Sequence, residues 1–128
     1  MKDIFDEDVT AKPKHVKKLL ERDIQEKCVD YARSKGFWAR KFSSPNNRSV
    51  PDYLFAISAS GGRRIKLAVE FKAPTKKSTK AQVDEQNGMI LAGWIVWGDV
   101  GTNGAADIAK FKADLESLVN PVWDAFPG

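Results

Sequence analysis

Between about Val16 and Lys35 the apolar residues Leu20, Ile24, Cys28, Tyr31 and Ala32 recur at helical spacing, and Gly36 stands where a left-handed stop belongs. This predicts an amphipathic helix. Phe37 to Phe42 then reads as a strand, Ser43 to Val50 as a polar loop, and Tyr53 to Ser58 as a second strand. That strand turns through Ser60-Gly61-Gly62 into a third at Ile65 to Lys72, and Gly-Gly between two strand-like runs predicts a hairpin. A Lys-rich loop follows Pro74, then a helix from about Thr79 to Ala92 ended by Gly93, then a strand at Trp94 to Trp97. The last helix, Ala105 to Val119, carries Ile108, Phe111, Leu115 and Leu118 on one face.

The order α-β-β-β-α-β-α makes this an α/β chain. A helix joining the third and fourth strands suits a parallel crossover, while the hairpin makes the preceding pair antiparallel. The expected architecture is a mixed four-stranded sheet flanked by helices on both faces. Residues 1–15 read as an N-terminal arm, 16–119 as one domain, and 120–128, with two prolines and no period, as an irregular C-terminal arm.

Composition narrows the chemistry. At 128 residues and 42% hydrophobic, the chain fits one core and not two of ordinary size. No apolar run approaches the ~20 residues of a bilayer span, and Asp3, Asp6, Glu7 and Asp8 do not resemble the basic start of a signal peptide. A soluble, intracellular and cytoplasmic protein is expected. Cys28 is the only cysteine and His15 the only histidine, which leaves intrachain disulfides, Cys-rich zinc sites and a Ser-His-Asp triad without support. A metal ion would need carboxylate ligands.

The net charge of +4 hides a partition: Lys and Arg stand against Asp and Glu as 1 to 4 in residues 1–11, 18 to 6 in 12–80, and 2 to 7 in 81–128. The basic middle is either a solvated face or the footprint of a phosphate backbone. Lys41, Arg48, Arg63, Arg64, Lys76, Lys77 and Lys80 are the candidate phosphate contacts.

The same segment puts charge into strands. Glu70 and Lys72 share one side of the third strand, and the hairpin brings Asp52, at the mouth of the second, beside them. Two carboxylates and an ammonium at one sheet end are costly to desolvate unless compensated, and a hard divalent cation compensates them while offering chemistry. All-oxygen ligands suit Mg²⁺ or Mn²⁺. Plainer readings are available. Asp52 after Pro51 fits an ordinary turn; Glu70 and Lys72 fit a solvent-facing ion pair of small value; Glu21 fits a first-turn acid favoured by the helix dipole. Gln82 completes a capping box with Thr79.

Pro51-Asp52 followed across a strand by Glu70-Phe71-Lys72, in this order of elements, resembles the signature of the PD-(D/E)xK nuclease superfamily and its restriction-endonuclease-like core. Glu21 at the first helix, Val50-Pro51-Asp52, Gln82 after the Glu-x-Lys strand, "VEFKAP" and "AGWIVWGDV" are similar to the VRR-NUC family, including its small stand-alone members found in phages. The family often has Gly two residues before the Pro, where this chain has Ser49. The resemblance spans about Leu20 to Leu118. It implies hydrolysis of a phosphodiester assisted by Mg²⁺ or Mn²⁺ held by Asp52, Glu70, Glu21 and the Phe71 carbonyl. Lys72 would orient water or offset developing charge, and Gln82 would help to place the nucleophile. Stand-alone members resemble Holliday-junction resolvases acting as homodimers on four-way DNA. A flap or nicking nuclease, or a non-catalytic basic DNA-binding module, are the other readings.

Cys28 reads as core. The strand tryptophans, Trp94 and Trp97 above all, read as packing residues in preference to base-stacking platforms. Trp38, Phe42, Trp94, Trp97, Trp123 and Phe126 together exceed what one small core absorbs, which suggests aromatic material for contact with a second copy, the tail reaching across.

Overall fold

A computed structural model describes residues 18–121. Helix α1 (Glu21–Ser34) leads into strands β1 (Trp38–Lys41), β2 (Tyr53–Ser58) and β3 (Arg64–Phe71). Helix α2 (Lys80–Leu91), strand β4 (Ile95–Val100) and helix α3 (Ala105–Val119) complete the chain. The four strands form one sheet in the order β1-β2-β3-β4, antiparallel except for the β3–β4 pair, which is parallel. This is the expected α/β fold: a mixed four-stranded sheet flanked by three helices.

Alternation along β3 decides what each face does. Leu67, Val69 and Phe71 point to one face, where they are buried with Ile24 and Cys28 of α1, Phe55 and Ile57 of β2, and Phe111 and Leu115 of α3. Phe111 is the hub of this core. Its ring lies 5.5 Å from Trp97 edge-on, 6.0 Å from Phe55 and 6.2 Å from Phe71, separations at which aromatic pairs attract beyond their buried area. Ala68 and Glu70 point to the opposite face, against which α2 lies.

Several boundaries shift from those expected, each for a local reason. α1 begins at Glu21 and not near Val16: Leu20 is extended, and its N–H is capped by the Asp23 carboxylate at 2.9 Å. An acid at the third helical position supplies this half of a capping box and fixes the start. Leu20, counted on the apolar stripe, is therefore outside the helix and exposed. Its place inside is taken by Val29. The hairpin forms through a 3₁₀ turn at Ser60–Gly62, with Gly61 and Gly62 at φ 74° and 75°. β3 starts at Arg64 and ends at Phe71, one residue before each expected limit. β4 runs on to Val100, since an irregularity opposite Val69–Phe71 lets the parallel ladder pass Gly98 and Asp99. Trp97 belongs to the core and not to a free surface.

α2 departs most from an ordinary sheet-covering helix, for it buries none of its residues. Gln82, Glu85, Gln86 and Met89 form its half-buried stripe, while Val83, Ile90 and Leu91 are exposed, Leu91 at 90%. The helix is held by polar contacts of Gln82, Glu85 and Gln86 and carries apolar side chains outward. Trp123, Phe126 and the arm at 1–15 lie outside the described residues; of the C-terminal arm, Asn120 caps α3 through Glu116 and Pro121 is buried. Among the described residues no helix is long and apolar enough to cross a membrane.

Candidate active site

The β2–β3 register places Tyr53 opposite Val69, and one step outward Asp52 stands beside Glu70. Both side chains leave the face opposite the aromatic core. Two residues on, Lys72 follows Glu70 on the same side, its ammonium 3.5 Å from Glu70 Oε2. The side chains of Glu70 and Lys72 are 3% and 13% exposed. That rules out the solvent-facing pair: a buried ion pair carries a desolvation cost that surface pairs avoid.

Gln82 of α2 closes the group. Its Oε1 accepts from Lys72 Nζ at 2.8 Å and from the Thr79 N–H at 2.9 Å, and its Nε2 donates to Glu70 Oε2 at 3.3 Å. The Thr79 hydroxyl in turn accepts from the Gln82 N–H at 3.2 Å. The capping box and the contact with the charged pair are thus the same side chain in one conformation.

The electrostatics follow from this packing. Burial pushes the Glu70 carboxyl up to about 7, the nearby Asp52 charge pushes in the same direction, and Lys72 offsets part of both. Asp52 is raised by burial against the pull of Lys41 and Lys72. Glu21 is raised by burial and by Asp52. Burial is the first cause at all three carboxyls; the Asp52 charge adds to it at Glu70 and Glu21, and that of Glu21 at Glu70. Glu70 Oε1 is buried with no hydrogen-bond partner, an acceptor left open. No three acidic, His or Cys side chains among the described residues are already closed around one point. Asp52 and Glu70 are neighbours by strand register, and Glu21, on the exposed first turn of α1, is coupled to both through its charge. This donor set fits a hard divalent cation.

The loop after β4 fixes the other side of the site, and sequence reading missed it. Gly101 has φ +123°, and a Cβ there would fall 1.9 Å from the Lys72 carbonyl oxygen. Only glycine allows the backbones to approach so closely. Asp107 holds the turn by accepting from the Gly101 and Asn103 N–H groups at 2.9 and 3.0 Å. Burial alone would raise its carboxyl, but these bonds outweigh it and hold it below the usual range. Asp99, with φ +56°, accepts from both the N–H and the hydroxyl of Ser78 at 2.7 Å, and the Lys72 N–H donates to the Val100 carbonyl at 2.9 Å. The segment from Lys72 to Ser78 is pinned at both ends. A Gly just after a strand and an Asp six residues on, at the start of a helix, were the available signals.

The basic candidates separate into groups. Lys41 acts on Asp52 and Glu21 through its charge. Arg48 shares with Asp52 and Phe42 a groove of about 420 Å³ beside the site. Lys76 and Lys77 are exposed on the pinned loop, while Lys80 is paired with Asp84 at 3.0 Å. Arg63 and Arg64 are at the opposite end of the sheet. Arg63 bonds the Ser60 carbonyl at 3.0 Å and its hydroxyl at 3.2 Å, so it braces the hairpin, whereas Arg64 is exposed. Burial pushes the Cys28 thiol up to about 12, which makes it an inert core residue.

Compared with known protein families and with curated proteins, the chain matches no family model and no curated sequence.

Proposed function

We propose that this protein is a Mg²⁺- or Mn²⁺-dependent endonuclease of the VRR-NUC type, cutting DNA phosphodiester bonds at branched structures, four-way junctions foremost. The observation that carries the reading is Glu70: a nearly fully buried carboxylate, beside Asp52, tied to Lys72 and Gln82, with one oxygen unpartnered. A structural ion pair has no need of a second acid or of an open acceptor.

In this reading Asp52 and Glu70 hold the cation, with Glu21 and the Phe71 carbonyl as further oxygen donors. The bound ion would supply Lewis-acid polarisation of the phosphoryl group and a more acidic water. Lys72 stands where an ammonium offsets charge gathering on the phosphate oxygens. Gln82 fixes the Lys72 ammonium and, through Nε2, one Glu70 oxygen, and the other oxygen, without a hydrogen-bond partner, would be available to a cation. Lys41 and Arg48 beside Asp52, with Lys76 and Lys77 exposed on the loop that follows Lys72, would supply positive charge that draws in the phosphate backbone.

Symmetric cutting of a junction calls for two sites related by a two-fold axis. The outward Val83, Ile90 and Leu91 of α2 support association of two copies, and light scattering reporting a dimer is the expected result.

The test separates binding from chemistry. Asp52→Asn, Glu70→Gln and Lys72→Ala should each remove most cleavage and leave DNA affinity within about threefold, since phosphate neutralisation is spread over many residues. Affinity lost in step with activity would instead make the charged group part of a non-catalytic binding surface.

A further inference from the structure

The face of the sheet that carries Asp52 and Glu70 is covered by α2 only in part, and the uncovered rows have a composition of their own. Trp38 and Arg40 of the edge strand β1, and Phe42 just beyond its end, alternate onto this face while Ala39 is buried in the core. Phe42 pairs with Asp52 through its N–H and so stands in the row of the candidate site. Trp38, four residues away and roughly 13 Å along the strand, is 48% exposed.

Trp38 also opens a row across the sheet. It is opposite Ala56, Ala56 is opposite Lys66, and Lys66 lies beside Trp94, whose ring its ammonium covers at 5.4 Å from the centroid. The Arg40 guanidinium lies 5.3 Å from the centre of the Trp38 ring while also bonding the Ala39 carbonyl. Ala56, small and exposed, leaves the sheet surface beside Trp38 uncovered. Beyond this row a groove of about 570 Å³ is lined by Trp38, Lys35, Ser58, Arg64 and Lys66, with no acidic residue among the described residues of its wall. Lys35 is partly neutralised by Glu116 at 3.6 Å; Arg64 and Lys66 form no salt bridge among the described residues.

We infer that this sheet face is a track for a single-stranded nucleic acid segment, running from the Phe42–Arg48 groove at the site along β1 to the basic groove at the hairpin. A base stacks on Trp38, a second on Phe42, and the intervening and following phosphates lie on Arg40, Arg64 and Lys66. Exposed aromatic rings flanked by cations along an open sheet suit unpaired bases, because stacking needs a free base face that a duplex does not offer. Acidic peptides would match the charge but not the spaced indole surfaces. The inference rests on the nuclease reading only in expecting a branch or flap strand as the natural occupant. It revises the expectation that the strand tryptophans serve packing alone: Trp97 does, Trp38 does not.

The experiment is fluorescence anisotropy of the full chain with a labelled thymidine oligonucleotide of about 15 residues and with a blunt duplex, in EDTA so that no cleavage enters. Trp38→Ala should weaken single-strand binding about tenfold and duplex binding less than about twofold, and Trp38→Phe should keep most of the affinity. Replacing both Arg64 and Lys66 by Ala should reduce the salt slope of single-strand binding by roughly 1.4. Equal effects of Trp38→Ala on both DNAs, or none on either, would overturn the track. Loss of a dimer in Trp38→Ala with unchanged oligonucleotide affinity would overturn it too, and make the face a contact between copies. If the track passes and no DNA is cut with Mg²⁺ or Mn²⁺, the nuclease reading alone falls.

Discussion

Lys72 donates to Gln82 Oε1 at 2.8 Å, and that same oxygen caps the start of α2 through the Thr79 N–H at 2.9 Å. The helix start and the buried ammonium are therefore one hydrogen-bonded unit, and two substitutions pull its functions apart. Thr79→Ala removes the cap and should cost about 1 kcal/mol of stability with cleavage little changed. Gln82→Ala should cost a similar amount and also lower cleavage on the order of tenfold to a hundredfold, through loss of positioning. Urea unfolding and single-turnover cleavage, run on the same preparations, check both. Equal activity loss in the two variants would mean that Gln82 acts only through the helix.

The backbones of Gly101 and Lys72 approach closely at the site. Gly101→Ala forces a Cβ into the Lys72 carbonyl at a backbone angle that L side chains rarely adopt. The strand end must move, so a loss of at least about 2 kcal/mol is expected, together with loss of cleavage. Thermal unfolding of Gly101→Ala measures this; Gly88→Ala, where an added Cβ meets nothing within 4 Å, serves as the comparison. An unshifted melting temperature in Gly101→Ala would contradict the packing described.

The raised carboxyls predict how stability varies with pH. Glu70 titrates at about 7 in the fold against 4.5 for an ordinary glutamate, so the folded chain holds an extra proton between those values. This contribution is complete below about pH 4.5 and is lost as pH rises through about 7. Asp52 and Glu21, also raised, act with the same sign. In EDTA the melting temperature should fall across this window, and Glu70→Gln should flatten the fall. Mg²⁺ or Mn²⁺ should raise the melting temperature more above about pH 7 than near pH 5, because cation and proton compete for the same oxygens. A melting temperature that climbs through the window and ignores Glu70→Gln would contradict the assignment.

Much of this arrangement was legible in the sequence where local pattern and sheet geometry agree. Tyr53–Ser58 and Ala105–Val119 have the bounds their periodicity predicts, and Asp52, Glu70 and Lys72 meet because a hairpin and a two-residue repeat leave little choice. Other features depend on contacts distant in sequence. α1 starts late because Asp23 caps Leu20, a bond that an apolar count ignores. β4 runs past Trp97 because the parallel ladder with β3 rescues Gly98 and Asp99, residues with poor strand propensity. From sequence Gln82 fits either cap or site residue, and its carboxamide has enough hydrogen-bonding capacity for both. Gly101 gave no signal by itself, since its need for glycine comes from Lys72, twenty-nine residues away.

The central claim is that Asp52, Glu70 and Lys72 form a cation-dependent phosphodiesterase site. Its most direct test is incubation of the wild-type chain and Glu70→Gln with end-labelled four-way junctions, flaps, duplex and single strands, with Mg²⁺, Mn²⁺ or EDTA, resolved on a denaturing gel. The account predicts cleavage of branched DNA by the wild type with either cation, none in EDTA, no effect of a zinc-specific chelator, and none by Glu70→Gln. Cleavage that persists in EDTA or in Glu70→Gln, or no cleavage of any of these DNAs by a folded wild-type chain, would contradict it.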